Sequence, residues 1–356
     1  MSVSASADIG AAAARPPLSR HLLIFCGLGL LFIALAVMAL GLGRYAVSPD
    51  RVAAILVSLA APVKAFWTPV DEQIVLTVRL PRILLAGLSG AGLGLCGAAL
   101  QGIYRNPLVE PSIVGAAPGA AFGGALALLI AEGSGLLGFA FAGGVAALAL
   151  VHLIAGFSGR MSVLALVLAG VVVGAFFSAL VSLTQYLANP ETTLPAIVYW
   201  LMGSFATATW AKLAIAAPLV LIGAVGLWLL RFRIDVLSLG DEEAAALGVR
   251  VAPTRAAVLG LIALVTAAVV ASCGVVSWVG LIAPHLARML VGPAHRLLLP
   301  AAAMIGAILL VAVDTVARTA TAAEVPLSVL TALIGTPIFA VLLRRLTLQG
   351  WNRDRD

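Results

Sequence analysis

Side chains that could carry chemistry are sparse in this chain, and their arrangement excludes the common catalytic sites. The four histidines show no metal-ligand spacing. The phosphate-binding motif GxxxxGK(S/T), the metalloprotease motif HExxH and the hydrolase motif GxSxG are absent from the sequence. The sequence therefore predicts no catalytic residue, no metal site and no cofactor bound by this chain, and it argues against an intramembrane enzyme.

The most distinctive polar groups stand at the two ends of one apolar run. Arg79 and Arg82 flank Pro81, and the 22 residues from Ile83 to Tyr104 carry no charge. A helix of that length spans a hydrocarbon core of about 30 Å, and a proline fits its first turn because the missing N–H is not needed there. The run closes on Arg105-Asn106-Pro107. We interpret it as a membrane span with a polar group at each end.

Small residues follow one face of this span. Gly87, Gly90, Gly94 and Gly97 recur at steps of three and four, and Gln101 continues the series. In a membrane such a stripe lets another helix backbone approach closely, because lipid supplies no hydrophobic drive and packing must hold helices together. The stripe therefore predicts a tightly packed structural helix.

Composition restricts the class of protein. Hydrophobic residues make up 62% of the 356 residues and charged residues 10%, whereas soluble domains carry about 25% charged residues. The mean hydropathy of +1.15 indicates a polytopic membrane protein. The net charge of +6 comes from basic residues scattered singly at the ends of apolar runs, which is a topology signal and not a nucleic-acid-binding patch. The three cysteines lie in apolar runs and are interpreted as small hydrophobic residues.

The apolar runs predict an all-α fold with ten transmembrane helices and both termini in the cytoplasm. The stretch 256–287 would form a helix about 48 Å long, too long for one span, and Gly274 offers a break. This division places two thirds of the 21 Lys and Arg residues inside, as the positive-inside rule requires. Two halves of five helices would be related as an inverted repeat. The predicted spans cover residues 22–43, 83–104, 112–131, 136–157, 161–187, 212–230, 255–273, 275–291, 297–317 and 325–343.

The rest of the chain is assigned around these spans. Residues 1–20 are rich in Ala and Ser and are predicted to be a disordered cytoplasmic segment, 21–345 to be the transmembrane domain, and 346–356 a cytoplasmic tail. Residues 44–78 mix charges and prolines and are predicted to be an extramembrane loop. The prolines and aromatic residues of 190–200 predict a short helix at the membrane surface.

The longest cytoplasmic loop, residues 231–255, suggests a contact with a partner. Asp241–Leu247 is predicted to form a two-turn helix, with acidic residues at its positive end and Gly248 as its stop. A docking helix for a soluble partner explains the apolar face of this segment better than a solvated loop helix does. The residues of that face are Leu239, Ala245, Leu247 and Val249.

Ion-driven transport is the alternative function, and one observation weighs against it. Transporters of this kind need carboxylates near the bilayer midplane to bind the coupling ion. The predicted spans hold few polar residues, among them Gln101, Gln185 and Asp314. Asp314 lies near the end of its span, so no carboxylate is predicted near the midplane. The energy for transport must then come from elsewhere, and an ion-coupled secondary transporter is kept as the alternative interpretation.

Seven motifs together resemble the permease subunits of type II ATP-binding-cassette importers for iron chelates and corrinoids. They are distributed over residues 79–345, in the order of the family. The motifs are RLPR, QGIYRNPLVEPSIVG, YWLMGSF, LSLGDEEAAALGV, VGLIAPHLARMLVGPAHRLLLP, DTVAR and EVPLSVLTALIGTPIFAVLLRR.

The resemblance implies a docking site for a periplasmic substrate-binding protein. In the family, the arginines of RLPR and of DxxAR face the periplasm and meet glutamates on that protein. Here these arginines are Arg79, Arg82 and Arg318. An ion pair between Arg318 and Asp314, four residues apart on one helix, is the structural alternative for Arg318, and both roles are compatible.

The resemblance also implies a cytoplasmic gate and a coupling segment. The gate is formed by the turn after span 2 and the turn before span 5, which is more aliphatic here than in relatives. The segment around Gly240 to Gly248 corresponds to coupling helices that fit a cleft on the ATPase. The implied gate residues are Asn106, Pro107, Leu108, Ser162 and Val163, and the implied coupling residues are Leu239, Gly240, Asp241, Glu242, Ala245, Leu247 and Gly248.

The resemblance implies the partners and the cargo as well. The chain would form a homodimer in the bacterial inner membrane and pair with two ATPase subunits, which hold ATP and Mg²⁺. Cargo from a periplasmic binding protein would cross by alternating access. Haem and ferric siderophores rank ahead of cobalamin only because they are the commoner cargo.

Overall fold

The structure is a computed structural model that describes residues 18–156 and 163–353. Over these residues the chain is helical and contains no β-strand, which confirms the all-α prediction. The helices in this part of the chain are α1 (Leu18–Gly41), α2 (Pro49–Ser58), α3 (Pro69–Gln73), α4 (Leu80–Tyr104), α5 (Ala116–Ile130), α6 (Leu136–Gly156), α7 (Val163–Leu187), α8 (Thr193–Leu201), α9 (Trp210–Leu229), α10 (Arg231–Leu237), α11 (Asp241–Ala246), α12 (Val251–Cys273), α13 (Val279–Val291), α14 (His295–Thr319) and α15 (Leu327–Arg353).

Seven stretches of the described chain are long and apolar enough to cross a membrane. They lie in α1, α4, α6, α7, α9, α12 and α14. Shorter apolar helices occupy α5, α13 and the first half of α15. The multi-pass architecture is therefore confirmed. The break at Gly274 is confirmed too, because α12 ends at Cys273 and Gly274 has a φ of +78°, a conformation that glycine adopts without steric cost.

The prediction that residues 44–78 form a loop is wrong in two places. Helix α2 forms within it, and its last part is continuous with α4 through a π-helical segment, Ile74–Arg79. Thr68 and Asp71 start this extension with reciprocal hydrogen bonds of 2.9 and 3.1 Å between side chain and backbone, a capping box that stabilises a helix start. The π segment lies just before Pro81, whose missing N–H disturbs the regular α-helical hydrogen bonds.

The centre of the bundle is α4. In its most apolar window, 83% of the residues are buried, against 6% for α1. Helices α12 and α14 are also largely buried, whereas only 22%, 28% and 22% of the corresponding windows in α6, α7 and α9 are buried. The exposed helices are the ones available to lipid or to another subunit, and α4, α12 and α14 form the interior that positions the polar groups.

The glycine stripe of α4 packs against two other helices of the same chain. A Cβ at Gly90 would lie 2.2 Å from the carbonyl oxygen of Gly306 on α14, and one at Gly97 would lie 1.8 Å from that of Gly280 on α13. No side chain fits at such distances, because the backbones are in direct contact. The predicted structural role of the stripe is confirmed.

Candidate functional site

Three arginines meet at the beginning of α4, and we call them the arginine cluster: Arg79, Arg82 and Arg318. Arg79 ends the π segment, Arg82 lies in the first turn of α4, and Arg318 lies in the last turn of α14. The structure thus brings together all three residues that the sequence assigned to docking. Their exposed fractions are only 6, 8 and 7%, so each guanidinium is largely satisfied within the chain.

Arg82 pairs with two carboxylates that the sequence did not connect to it. Its Nε and Nη2 donate to Asp314 at 3.0 and 2.8 Å, and its Nη1 and Nη2 donate to Glu324 at 2.8 and 2.9 Å. Two bidentate pairs use the whole guanidinium fork. Hydrogen bonding from Arg82 holds the pKa of Glu324, in the segment between α14 and α15, below its ordinary value of 4.5.

Arg79 and Arg318 hold the end of α1. Arg79 donates to the carbonyls of Leu40 and Gly41 at 2.6 and 3.1 Å, and Arg318 donates to that of Leu42 at 2.5 Å. The last carbonyls of a helix have no partner within it, and cations there are stabilised by the helix dipole. Both arginines therefore position α1 on the bundle.

The predicted ion pair of Arg318 with Asp314 is present, at 4.0 Å between Nε and Oδ2. Asp314 is 1% exposed and lies between the two arginines that it contacts, Arg82 and Arg318. The sequence spacing pointed to the second contact only. No sequence signal could show the first, because Arg82 and Asp314 are 232 positions apart.

The Asn106-Pro107-Leu108 turn lies at the other end of α4. Arg105 caps the helix with a φ of +52°, and the Asn106 side chain accepts a hydrogen bond from the Leu108 N–H at 2.9 Å. Leu108 is 44% exposed. For the second predicted gate turn, Ser162 lies outside the described residues and Val163 is the first residue of α7. The gate pairing stays a prediction.

The coupling segment has the predicted form. Helix α11 begins at Asp241 after a glycine with a φ of +147°, and Gly248, with a φ of +80°, lies just beyond its end. Leu239 and Leu247 are 59% and 63% exposed, and Glu242 and Ala245 are exposed as well. An apolar surface is thus left uncovered by the described chain.

Two contacts anchor this segment to buried helices. Asp241 accepts hydrogen bonds from Arg255 of α12 at 2.6 and 3.2 Å, and hydrogen bonding from Arg255 lowers the pKa of Asp241. Asp235 accepts from the backbone N–H of His295, the first residue of α14, at 2.9 Å. Burial favours a higher pKa for Asp235, but its hydrogen bonds to His295 prevail and lower it. A displacement of α10 and α11 would therefore act on α12 and α14.

Glu110 is a residue whose position sequence reasoning missed. It precedes the third predicted span, but its Oε2 accepts a hydrogen bond from the N–H of Trp278 at 3.2 Å. Two residues further on, Gly280 packs against Gly97, seven residues or about 10 Å before the end of α4. The segment between α4 and α5, which includes a 3₁₀ helix at Pro111–Val114, therefore folds back along the bundle and carries Glu110 inward. Trp278 has a φ of +72°, which is uncommon for a bulky residue.

These features define a class of protein: a multi-pass membrane subunit whose sequence has no nucleotide-binding motif and which leaves apolar side chains exposed beside a short helix outside the membrane spans. The chain belongs to the FecCD transport family, whose sequence profile matches residues 30–345. Its relatives are permease subunits of ATP-binding-cassette importers, in which partner subunits hydrolyse ATP.

Individual relatives cover nearly the whole chain. The molybdate import system permease MolB of Haemophilus influenzae is 46% identical over 92% of this chain and 97% of its own length. The hemin transport permease HmuU of Yersinia pestis is 37% identical over 89% of this chain and 95% of its own. A cobalamin import permease of Halobacterium salinarum is 41% identical over 82% of this chain and 79% of its own.

A solved structure agrees with the fold. It is described as an inward-facing conformation of a metal-chelate type ABC transporter, and it superposes with a TM-score of 0.82 at 46% identity. The superposition covers 91% of this chain and 99% of that one.

Proposed function

We propose that this chain is the membrane permease of an ATP-driven importer, working as a homodimer with two ATPase subunits and a periplasmic substrate-binding protein. It would lie in the bacterial inner membrane with both termini cytoplasmic. Family membership supports this assignment, and it leaves the ion-coupled secondary transporter without support. No cofactor would be bound by the chain itself, since ATP and Mg²⁺ belong to the ATPases.

The ten-span topology with an inverted repeat is part of this proposal. The ten apolar helices divide into α1, α4, α5, α6 and α7, and then α9, α12, α13, α14 and α15. In each half a long second helix is followed by a connecting segment and a short third helix, α5 or α13. Such corresponding short helices are typical of inverted repeats in transporters.

The observation that carries the proposal is the uncovered apolar surface on the anchored coupling segment. Leu239 and Leu247 remain exposed although Asp235 and Asp241 hold the segment against α14 and α12. An ATPase that covers these leucines could move both buried helices when it closes on ATP. Alternating access would follow from that movement, with the Asn106–Leu108 turn and the turn at Ser162–Val163 as the cytoplasmic gate.

This coupling is tested by replacing one exposed leucine at each end of the molecule. Leu247→Glu should lower ATP-dependent uptake about tenfold, which corresponds to about 1.4 kcal/mol of lost contact, and leave thermal stability unchanged. Leu59→Glu is the matched control, because Leu59 follows α2 and is also 63% exposed. Equal uptake in the two variants, measured in proteoliposomes with the ATPase present, would contradict the proposal.

Docking of the binding protein is assigned to the arginine cluster. Arg79, Arg82 and Arg318 lie at the end of α4 opposite the coupling segment, as an importer requires of surfaces that face the two sides of a membrane. Arg82→Ala should weaken binding of the substrate-binding protein, and the same assay tests Arg79→Ala and Arg318→Ala.

A bulky metal chelate, with haem or a ferric siderophore ahead of cobalamin, is the proposed cargo. The 46% identity to a molybdate permease favours a second candidate, a small metal oxyanion. An uptake panel with haem, a ferric siderophore, cobalamin and molybdate, read by metal content in proteoliposomes with the binding protein, separates the two. Transport of molybdate alone would overturn the chelate assignment and leave the importer assignment intact.

A further inference from the structure

The guanidinium of Arg82 has no edge left for a partner protein. One bidentate pair joins it to Asp314 and a second joins it to Glu324. An acidic side chain of a binding protein can reach this arginine fork only if one of the two carboxylates leaves. Docking through Arg82 therefore requires an exchange of partners within the cluster.

The two carboxylates differ in their freedom to leave. The Asp314 side chain is 2% exposed and lies on α14 beside Arg318, whereas the Glu324 side chain is 23% exposed. Residues 320–323, which precede Glu324 in the segment between α14 and α15, are all exposed. The removal of Asp314 would leave two buried arginines without a carboxylate that both contact, and the removal of Glu324 would not.

The guanidinium groups of Arg79 and Arg318 have no edge that is occupied by a displaceable side chain. Arg79 and Arg318 direct their terminal nitrogens at backbone carbonyls near the end of α1, such as those of Leu40 and Leu42. Leu40 lies in the last turn of α1 and Leu42 directly follows it, so these carbonyls move only with the chain at the end of α1. Arg79 donates in addition to the backbone carbonyl of Tyr45. Among the described residues, only the contact between Arg82 and Glu324 joins a cluster arginine to a side chain on a non-helical segment.

We propose that Glu324 is an internal counter-carboxylate, which occupies the solvent-facing edge of Arg82 and is exchanged for an acidic side chain of the substrate-binding protein on docking. The inference rests on the proposed function. Exchange of one carboxylate for another keeps the buried guanidinium compensated throughout, because an uncompensated buried charge is costly. It also makes the interaction reversible, since the internal carboxylate competes for the same site.

A second position is available for the displaced carboxylate. Arg44, in the segment after α1, is exposed, and its positive charge contributes to lowering the pKa of Glu324. Glu324 can therefore turn towards Arg44 when it leaves Arg82.

The test measures binding of the substrate-binding protein encoded with this permease to the assembled transporter in nanodiscs. Glu324→Gln removes the competing charge and should tighten binding about fivefold, the size expected for one partly exposed ion pair. Glu191→Gln, between α7 and α8, is the matched control for an exposed glutamate and should leave affinity unchanged. Arg82→Ala should weaken binding.

The outcomes separate the two proposals. If Arg82→Ala weakens binding but Glu324→Gln leaves it equal or weaker, the exchange is wrong and docking through Arg82 stands. If Arg82→Ala leaves binding unchanged, the docking assignment fails and the exchange fails with it. Should Glu324→Gln unfold the transporter in a thermal assay, Glu324→Asp takes its place. Its shorter side chain loses the bidentate contact, so tighter binding supports the exchange and unchanged binding contradicts it.

Discussion

The regions at the two ends of α4 differ in whether their side chains already have partners within the chain. At its beginning, the arginine cluster is closed, since both bidentate edges of the Arg82 guanidinium are paired with carboxylates and Arg82 is 8% exposed. Beyond its end, the coupling segment is open, with Leu239 and Leu247 more than half exposed. Under the proposed function, the first site must break a contact to receive a partner, and the second needs only to be covered.

This difference follows from the chemistry of each contact. A buried guanidinium is costly unless it is paired and hydrogen-bonded. Carboxylates fill this need for Arg82, and backbone carbonyls do so for Arg79. An apolar side chain in water loses only about 25 cal/mol per Å² of apolar area left exposed.

The largest loss of stability is expected from Asp314→Ala, which removes the buried carboxylate of the arginine cluster. Arg82 and Arg318 would lose the carboxylate that they share, and the loss of one member of a buried ion pair costs about 3–5 kcal/mol. The midpoint of thermal unfolding in detergent should fall steeply, and Glu191→Ala should leave it unchanged. An Asp314→Ala variant as stable as its parent would show that the cluster does not depend on its buried carboxylate.

A smaller loss is expected where α4 connects the two sites. Gly97→Ala places a methyl group 1.8 Å from the carbonyl of Gly280, and overpacking of this kind costs about 1–3 kcal/mol. Gly260→Ala is the control, since no atom lies within 4 Å of its added Cβ. Thermal unfolding of both variants checks this, and equal midpoints would mean that α4 and α13 separate easily.

The open site should depend less on its ion pair than the closed one. Asp241 is 42% exposed in its side chain but its partner Arg255 is 1% exposed, so water replaces only part of what Asp241→Ala removes, and we expect a loss of about 2 kcal/mol. The measured loss should be clearly below that of Asp314→Ala in the same assay. A larger loss would reverse the comparison between the two ends.

The smallest effect is expected from pH. The pKa values of Glu324 and Asp241 are lowered from 4.5 and 3.8, so each carboxylate stabilises the fold above its ordinary pKa, and this contribution is lost only as the pH falls through the lower folded-state pKa. Between about pH 5 and 8 the stability difference between the parent and Asp241→Asn should stay constant. A difference that shrinks on going from pH 8 to 5 would contradict the direction of the Asp241 shift.

Features that depend on local sequence were predicted correctly. Gly248 was predicted as the stop of α11 and Gly274 as a break, and both adopt positive φ angles at those places. The stripe from Gly87 to Gly97 was predicted to pack tightly and does so. Such features depend on the conformational range of single residues and on helical spacing, which can be read along the chain.

Contacts between segments that are distant in the sequence were not predicted. The pairing of Arg82 with Asp314 and Glu324 and the contact of Glu110 with Trp278 join residues more than 160 positions apart. The helical extension through Ile74–Arg79 was missed as well, because charges and prolines before it indicated a loop. Its capping box at Thr68 and Asp71 was present in the sequence and was overlooked.

The arginine cluster shows which features the sequence determines and which depend on the tertiary structure. The sequence by itself determined which arginines stand at helix ends, where glycines permit close packing and which leucines lie outside the spans, because these follow from residue type and local spacing. Only the tertiary structure decided that the arginines are closed on internal carboxylates and helix carbonyls. The physical reason is that a buried charge takes whichever partner the packing of distant helices brings to it.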